Sequence, residues 1–289
     1  MNQGLSPAWW TGLILQSPGP VIFRLGPVSY KWYGVMILLG FLSAAFAALR
    51  ISRRWGYTEG QVLAGALSCF AGGVVGARLY YVALCWSYFS RHPAEIMATW
   101  GGGMAIHGAI IGGPLAGAIF CRISKIPFLV ACDIGGSVFA LGQAIGRWGN
   151  FFNSEAFGQP VPLYFPLKLF IPVECRPAAY HNVSFFHPTF LYESLWDLGL
   201  FLILYFLLVE RLKRWPGVCF LTYLAGYSLG RLLIEPLRLD SVLFHGMPAP
   251  ILASASGLIV ALLGIGILLC RYRCQKQDGL PVGAKAQQD

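Results

Sequence analysis

Seven apolar runs, each followed by a short polar break, constrain this chain more than any other feature: Tyr33 to Leu49, Gln61 to Cys85, Met104 to Cys121, Phe128 to Gly146, Thr189 to Val209, Val218 to Ile234 and Ala249 to Cys270. An apolar helix of roughly 20 residues matches the hydrocarbon thickness of a bilayer. Only 11% of the 289 residues are charged, and 56% are hydrophobic, where a soluble domain carries about 25% charged residues. So few charges cannot cover a water-facing surface of this size. The expectation is an all-α polytopic membrane protein with about seven transmembrane helices.

The basic residues orient it. Clusters follow the first run (Arg50, Arg53, Arg54), the third (Arg122, Lys125), the fifth (Arg211, Lys213, Arg214) and the seventh (Arg271, Arg273, Lys276, Lys285). Twelve of the 21 Lys and Arg therefore lie on one side. Arg24, Lys31, Arg91, Lys168 and Arg176 lie on the other, and Arg78, Arg147, Arg231 and Arg238 lie within or at the ends of runs. By the positive-inside rule the N-terminus is outside and the C-terminus cytoplasmic. Residues 1–272 form one integral membrane domain with an outward-facing loop region at 151–186, and 273–289 form a cytoplasmic polar tail. Residues 1–31, rich in Pro, are expected to make short interfacial pieces with Trp9 and Trp10 at headgroup level.

The net charge of +9 does not indicate nucleic acid, because the cations are scattered between apolar runs and form no continuous patch. The stretch Thr11 to Gln16 is too short, and lacks preceding basic residues, to read as a secretory signal. Eight cysteines without a Cys-x-x-Cys pair suggest buried free thiols, with neither a zinc site nor a disulfide framework. Spans three, four and seven are dense in Gly, Ala and Ser. Gly108, Gly112 and Gly113, like Gly135, Gly142 and Gly146, recur at near-helical spacing suited to close helix packing. No internal repeat is visible, which weighs against an inverted-repeat transporter.

Ionisable residues at membrane depth are costly and point to function. His107 lies one turn inside the third run, with small neighbours that leave room beside it. Tyr227, Arg231 and Glu235 are spaced i, i+4, i+8 and line one face of the sixth helix, where Arg231 and Glu235 are expected to pair. Pro236 should end that helix and leave Arg238 near the outer interface as a structural or headgroup-facing cation. Arg78 needs a partner, and Glu193 and Asp197, sharing a face of the fifth run, are candidates. His187 reads as an interface anchor and Asp133 as structural. With this topology the ends of spans four and six and the starts of spans one and three reach the outer side, so Arg147, Asn150, Arg231, Glu235, Tyr33 and His107 fall in one layer.

The densest polar group is Gly142 to Gly158, which reads Gly-Gln-Ala-Ile-Gly-Arg-Trp-Gly-Asn-Phe-Phe-Asn-Ser-Glu-Ala-Phe-Gly. It sets a cation (Arg147), two carboxamides (Asn150, Asn153) and a carboxylate (Glu155) at one helix end. An arginine there could merely reach for the interface, or hold a lipid phosphate by a bidentate contact. Gly-Arg-Trp-Gly-Asn-Phe-Phe-Asn-Ser-Glu, closed by Gly158, resembles the signature of the prolipoprotein diacylglyceryl transferases. Trp32-Tyr33-Gly34, Ile106-His107-Gly108, His187-Pro188-Thr189 with Leu191-Tyr192-Glu193, and Gly230-Arg231 with Glu235 and Arg238 follow in that family's order. Together they cover roughly residues 20 to 272. One departure is visible: where the family commonly has a second glycine after the histidine, this chain has Ala109.

The resemblance implies a reaction in the bacterial cytoplasmic (inner) membrane. Phosphatidylglycerol gives its diacylglyceryl group to the lipobox cysteine of a preprolipoprotein and leaves glycerol 1-phosphate. Carried over residue by residue, Tyr33, His107, Arg147, Asn150, Gly158 and Arg231 match the family's important positions, with Glu155, Tyr227, Glu235 and Arg238 in support. In chemical terms a base or a positive field must make the thiolate; His107 is the candidate base, and the field of the arginines is the alternative. Arg147 and Arg231 would hold the phosphate, and Tyr33, Asn150, Asn153 and Glu155 would position the headgroup. No cofactor or metal is expected. The partners implied are phosphatidylglycerol, lipobox signal peptides and the bilayer. An anion transporter or channel, and a non-catalytic lipid-binding scaffold, are the competing readings.

Overall fold

The computed structural model describes residues 12–26, 28–99, 102–239, 241, 243–244 and 247–277. Trp9, Trp10 and the tail beyond 277, with Lys285, lie outside the described residues. Long helices dominate: α1 (Trp32–Trp55), α2 (Glu59–Leu84), α4 (Ile106–Ile123), α5 (Phe128–Asn153), α8 (Val218–Ile234) and α9 (Ala249–Gln277), with a one-turn α3 (Trp86–Phe89) after α2. Six helices among the described residues are long and apolar enough to cross a membrane. The fifth apolar run is also helical but divided: α6 (Thr189–Leu202) passes into a π-helical segment (Ile203–Leu208) and then α7 (Val209–Leu212). Leu42, Phe46, Val75, Ile110, Ile119, Ile259 and Leu263 stand exposed along these helices, a surface suited to hydrocarbon and not to water. The chain is a mainly helical polytopic membrane protein.

Local signals set the helix ends. Thr58 and Gln61 form a reciprocal capping box at the start of α2, which satisfies two amides otherwise left without partners. Asp133 accepts hydrogen bonds from the Gly217 (2.7 Å) and Phe220 (2.8 Å) amides, capping α8 from α5. The structural role expected of Asp133 is this cap. α8 ends at Ile234, followed by a 3₁₀ turn over Glu235–Leu237, as Pro236 requires. α5 runs seven residues past its expected end at Gly146, so Arg147, Asn150 and Asn153 all lie on the helix.

Close helix contacts explain the glycines. A Cβ on Gly40 of α1 would sit 2.8 Å from the Gly142 carbonyl of α5. α2 and α4 meet backbone to backbone at Gly72, Gly76, Gly108 and Gly112, the close approach that small residues allow in lipid. The packing role expected of Gly108, Gly112 and Gly113 therefore holds. The space left at Gly108 and Gly112 is taken up by the α2 backbone, while His107 itself is exposed. A core joins Ala47, Ala48 and Ile51 of α1 to Ile134, Val138 and Ala140 of α5, Phe201 of α6, Leu204 and Tyr205 of the π segment, and Tyr223 of α8.

Short strands depart from the all-helical expectation. β1 (Leu13–Gln16) pairs in parallel with β4 (Leu167–Phe170), which pairs antiparallel with β5 (Phe185–Phe186). β2 (Val21–Leu25) and β3 (Val28–Lys31) make a hairpin leading into α1, and β6 (Leu243–Phe244) pairs with β7 (Met247–Pro248) before α9. The 151–186 region is thus built on the end of α5, β4 and β5, around a small core of Ala156, Phe157, Leu169, Ile171, Phe186 and Phe190.

Arg78 corrects an expectation. Its partner is neither Glu193 nor Asp197. Its guanidinium donates to five carbonyls of the α2–α4 crossover: Glu95 (2.6 Å), Ile96 (2.8 Å), Ala98 (3.0 Å), Gly102 (3.0 Å) and Gly103 (2.9 Å). Five donors match five acceptors on a crossover that holds only a short 3₁₀ turn, Pro93–Met97, of its own. The cysteines need a correction too. All eight are free, but only Cys121 and Cys219 are buried, while Cys69, Cys175, Cys270 and Cys274 are exposed.

Candidate functional site

The site forms where α5, α6 and α8 converge. Near the end of α5, Arg147 points at Glu193, the fifth residue of α6, with Nη1 2.6 Å from Oε2. Arg231 of α8 reaches the other oxygen, Nη1 to Oε1 at 2.5 Å. Arg238, just past the 3₁₀ turn, reaches that same Oε1 at 2.6 Å. Arg231 also turns Nη2 to Glu235 at 2.7 Å, in the 3₁₀ turn that follows α8, so the expected pairing of Arg231 with Glu235 is present. The other oxygen of Glu235 accepts from the Ser241 hydroxyl at 2.7 Å.

The Glu193 side chain is 4% exposed, and those of Arg147, Arg231 and Arg238 are 19%, 13% and 8% exposed. Ion pairs this enclosed are weakly screened, and removal of one partner leaves an uncompensated charge. Three guanidiniums face Glu193 and Glu235, an excess of one positive charge before Asp197 is counted. Asp197, one turn beyond Glu193, is buried, and its Oδ2 has no hydrogen-bond partner among the described residues. It lines a narrow cavity with Arg147, Glu193, Trp196, Tyr227, Gly230 and Arg231.

The signature stretch shapes the rim. α5 ends at a left-handed Ser154 (φ 55°), and Ala156 is left-handed as well (φ 54°). Two such non-glycine residues so close together are uncommon and mark a tightly determined turn. The Glu155 amide donates to the Asn150 carbonyl at 2.9 Å, and Asn153 Nδ2 donates to Glu155 Oε1 at 3.2 Å. Asn153 Oδ1 is buried without a partner among the described residues. Gly158 then runs beside Arg238 in an antiparallel bridge, its amide bonded to the His187 carbonyl at 2.9 Å. A Cβ there would meet the Leu237 carbonyl at 2.6 Å and the His187 Cβ at 2.8 Å. Gly158 thus lets three segments touch: the signature turn, the entry to α6 and the Arg238 segment.

The other expected residues fall around this centre. Tyr33, in the first turn of α1, lies over Gly149, where a Cβ would be 2.8 Å from its ring. Tyr227 stacks on Tyr223 at 6.2 Å between ring centroids, and Tyr223 donates to Gln143 at 2.7 Å. His107 stands apart. It is exposed in the first turn of α4, and its ring neighbour is Tyr80 of α2 at 5.8 Å. Among the described residues no hydrogen bond joins it to the arginines. Of the two roles expected of Arg238, the structural one fits: it is buried in the cluster and does not face the surface. His187 sits half-buried, Nδ1 3.2 Å from the Tyr192 hydroxyl, and burial lowers its pKa.

Sequence reasoning missed the centre, Glu193. A signal was available: three arginines at one membrane depth need counter-charge, and few carboxylates share that depth with them.

Comparison with known proteins places the chain in a family. The family model described as prolipoprotein diacylglyceryl transferase matches residues 20–270. A protein of Trichormus variabilis named phosphatidylglycerol–prolipoprotein diacylglyceryl transferase is 43% identical over 264 residues, covering 90% of this chain and 93% of its own. Proteins of the same name from Synechococcus elongatus (46% over 253 residues; 86% of this chain, 87% of its own) and Gloeobacter violaceus (41% over 255 residues; 86% and 92%) extend the likeness. Every element that builds the arginine cluster lies within the matched span, and the chain belongs to the prolipoprotein diacylglyceryl transferase family.

Proposed function

We propose that this protein transfers the diacylglyceryl group of phosphatidylglycerol to the lipobox cysteine of preprolipoproteins, the first step of bacterial lipoprotein maturation. In the transfer the cysteine sulfur attacks the glyceryl carbon that bears the phosphate. A C–S bond forms, the C–O bond breaks, and its electron pair leaves on glycerol 1-phosphate. The thiol proton passes to a base. The observation that carries this reading is the convergence of Arg147, Arg231 and Arg238 from separate segments on one carboxylate, Glu193. Such donors suit a phosphate whose charge grows as the bond breaks.

Arg147 and Arg231 hold the phosphate in this reading, with Arg238, Glu235 and Tyr227 supporting them. Tyr33, Asn150, Asn153 and Glu155 position the glycerol headgroup, and Gly158 fixes the rim. The unpartnered Asn153 Oδ1 favours a hydrogen-bonded ligand there. His107 is the base of this account. It reaches the thiol from the α4 side, which requires the signal peptide to enter between α4 and the cluster. Seven crossings, counting the 189–212 helix, would place the N-terminus and the 151–186 region outside and the C-terminus in the cytoplasm, in the bacterial inner membrane.

The anion-transporter alternative is not favoured, since the relatives are named transferases. Incubating purified protein with glycerol-labelled phosphatidylglycerol and a lipobox peptide tests the proposal. Diacylglyceryl peptide and free glycerol phosphate should appear in equal amounts; intact lipid after prolonged incubation would refute it.

A further inference from the structure

We propose that Glu193 is a built-in stand-in for the substrate phosphate: it holds the arginines in position while no lipid is bound, yields them to the entering headgroup, and reclaims them as glycerol phosphate leaves. The inference rests on the transferase reading and adds a positioning residue to it.

Four observations carry it. Glu193 presents two oxygens and one charge to Arg147 on one side and to Arg231 and Arg238 on the other. A phosphodiester also offers two unbridged oxygens and one charge, so the carboxylate occupies the kind of place the substrate needs. Second, three guanidiniums this enclosed would repel one another without an anion between them, so the cluster needs an anion within the fold. Third, Glu235 is not free to play that part: Ser241 and Arg231 hold its two oxygens, within its own helix end. Fourth, the Arg147 and Arg231 guanidiniums each carry five N–H donors, more than their carboxylate partners use, so a headgroup can begin to bind before Glu193 lets go.

The exchange also addresses release. Bond cleavage turns a singly charged diester into a phosphate monoester that carries more charge. Three arginines would grip that product more tightly than the substrate. A carboxylate anchored to α6 and always within reach competes for the same donors at high effective concentration.

Glu193→Gln tests this, because the amide keeps the shape and loses the charge. In detergent-purified protein, the inhibition constant of glycerol 1-phosphate should fall by about tenfold, the scale of one charge-assisted contact. KM for phosphatidylglycerol should fall with it, and kcat should fall because product leaves slowly. A purely structural role would instead raise KM or leave the inhibition constant where it was, and either result overturns the proposal. Should Glu193→Gln not fold, Glu193→Asp keeps the charge one methylene short of its partners. It should move the inhibition constant in the same direction, and an unchanged or higher constant counts against the proposal. Failure of the wild-type protein to transfer at all would sink the transferase reading. Wild-type transfer with an unmoved inhibition constant in the variant would sink only the role of Glu193.

Discussion

Arg147 and Arg231, 84 positions apart in sequence, are held to each other through opposite oxygens of a single buried carboxylate. Neither cation could sit at that depth alone. Their shared anion turns two costly charges into one assembly.

Arg147→Lys should lose about 10²–10³ in turnover, the scale of removing one preorganised donor from a developing anion. Lysine keeps the charge but not the paired donors. The variant should still reach the membrane and melt cooperatively. Near-normal turnover would take Arg147 out of the site.

Arg238→Gln removes one of three partners from Glu193 and unpins the segment after α8. Breaking an enclosed pair by deleting one partner costs about 3–5 kcal/mol, and the low end is expected here because two arginines remain. A thermal midpoint in detergent that matches wild type would show that Arg238 does not hold the fold together.

Gly158→Ala forces a methyl against the Leu237 carbonyl. Overpacking of this kind costs about 1–3 kcal/mol, and here it also separates the rim from Arg238. Activity should fall more than stability. Wild-type values for both would mean that the contact at Gly158 gives way freely.

His187 gives a pH signature. Burial lowers its pKa, so the folded protein favours the neutral ring. As pH falls through ~6.5, the unfolded chain takes up a proton that the folded chain resists. Stability should drop over that range and be flat above it. In His187→Gln that part of the acid sensitivity should vanish. The midpoint difference between wild type and variant should shrink on going from about pH 7.5 to about pH 5; a constant difference would contradict the assignment.

Orientation is open to a direct check at Cys175, which is exposed in the 151–186 region. Partial burial, Glu174 and Glu155 raise its pKa, so labelling should be slow at neutral pH and faster toward pH ~8.5 and above. With the other cysteines replaced, an impermeant thiol reagent should label it in intact cells. Labelling only after lysis would invert the orientation.

Much of the scaffold was legible because lipid demands it: apolar runs of spanning length located α1, α2, α4, α5, α8 and α9 to within a few residues, apart from the far ends of α1, α5 and α9. The strands of residues 13–31 were not, since they are short and carry no clean alternation, and the partners of β1 lie more than 150 positions away. Arg147, Arg231 and Glu235 could be read as one layer because helix topology fixes depth. Glu193 could not be placed at their centre, because periodicity gives a residue's depth and face but not which neighbour its side chain meets. Arg78 failed for a related reason. Sequence shows which carboxylates could pair with an arginine, but not five loop carbonyls turned toward it.

The central claim is that Arg147 and Arg231 together hold the phosphate. The dissociation constant of glycerol 1-phosphate, measured on purified wild type, Arg147→Lys, Arg231→Lys and the double variant, tests it most directly. Each single variant should weaken binding by about tenfold or more, and the double variant should depart from additivity because both cations share Glu193. Unchanged affinity in either single variant would contradict the account.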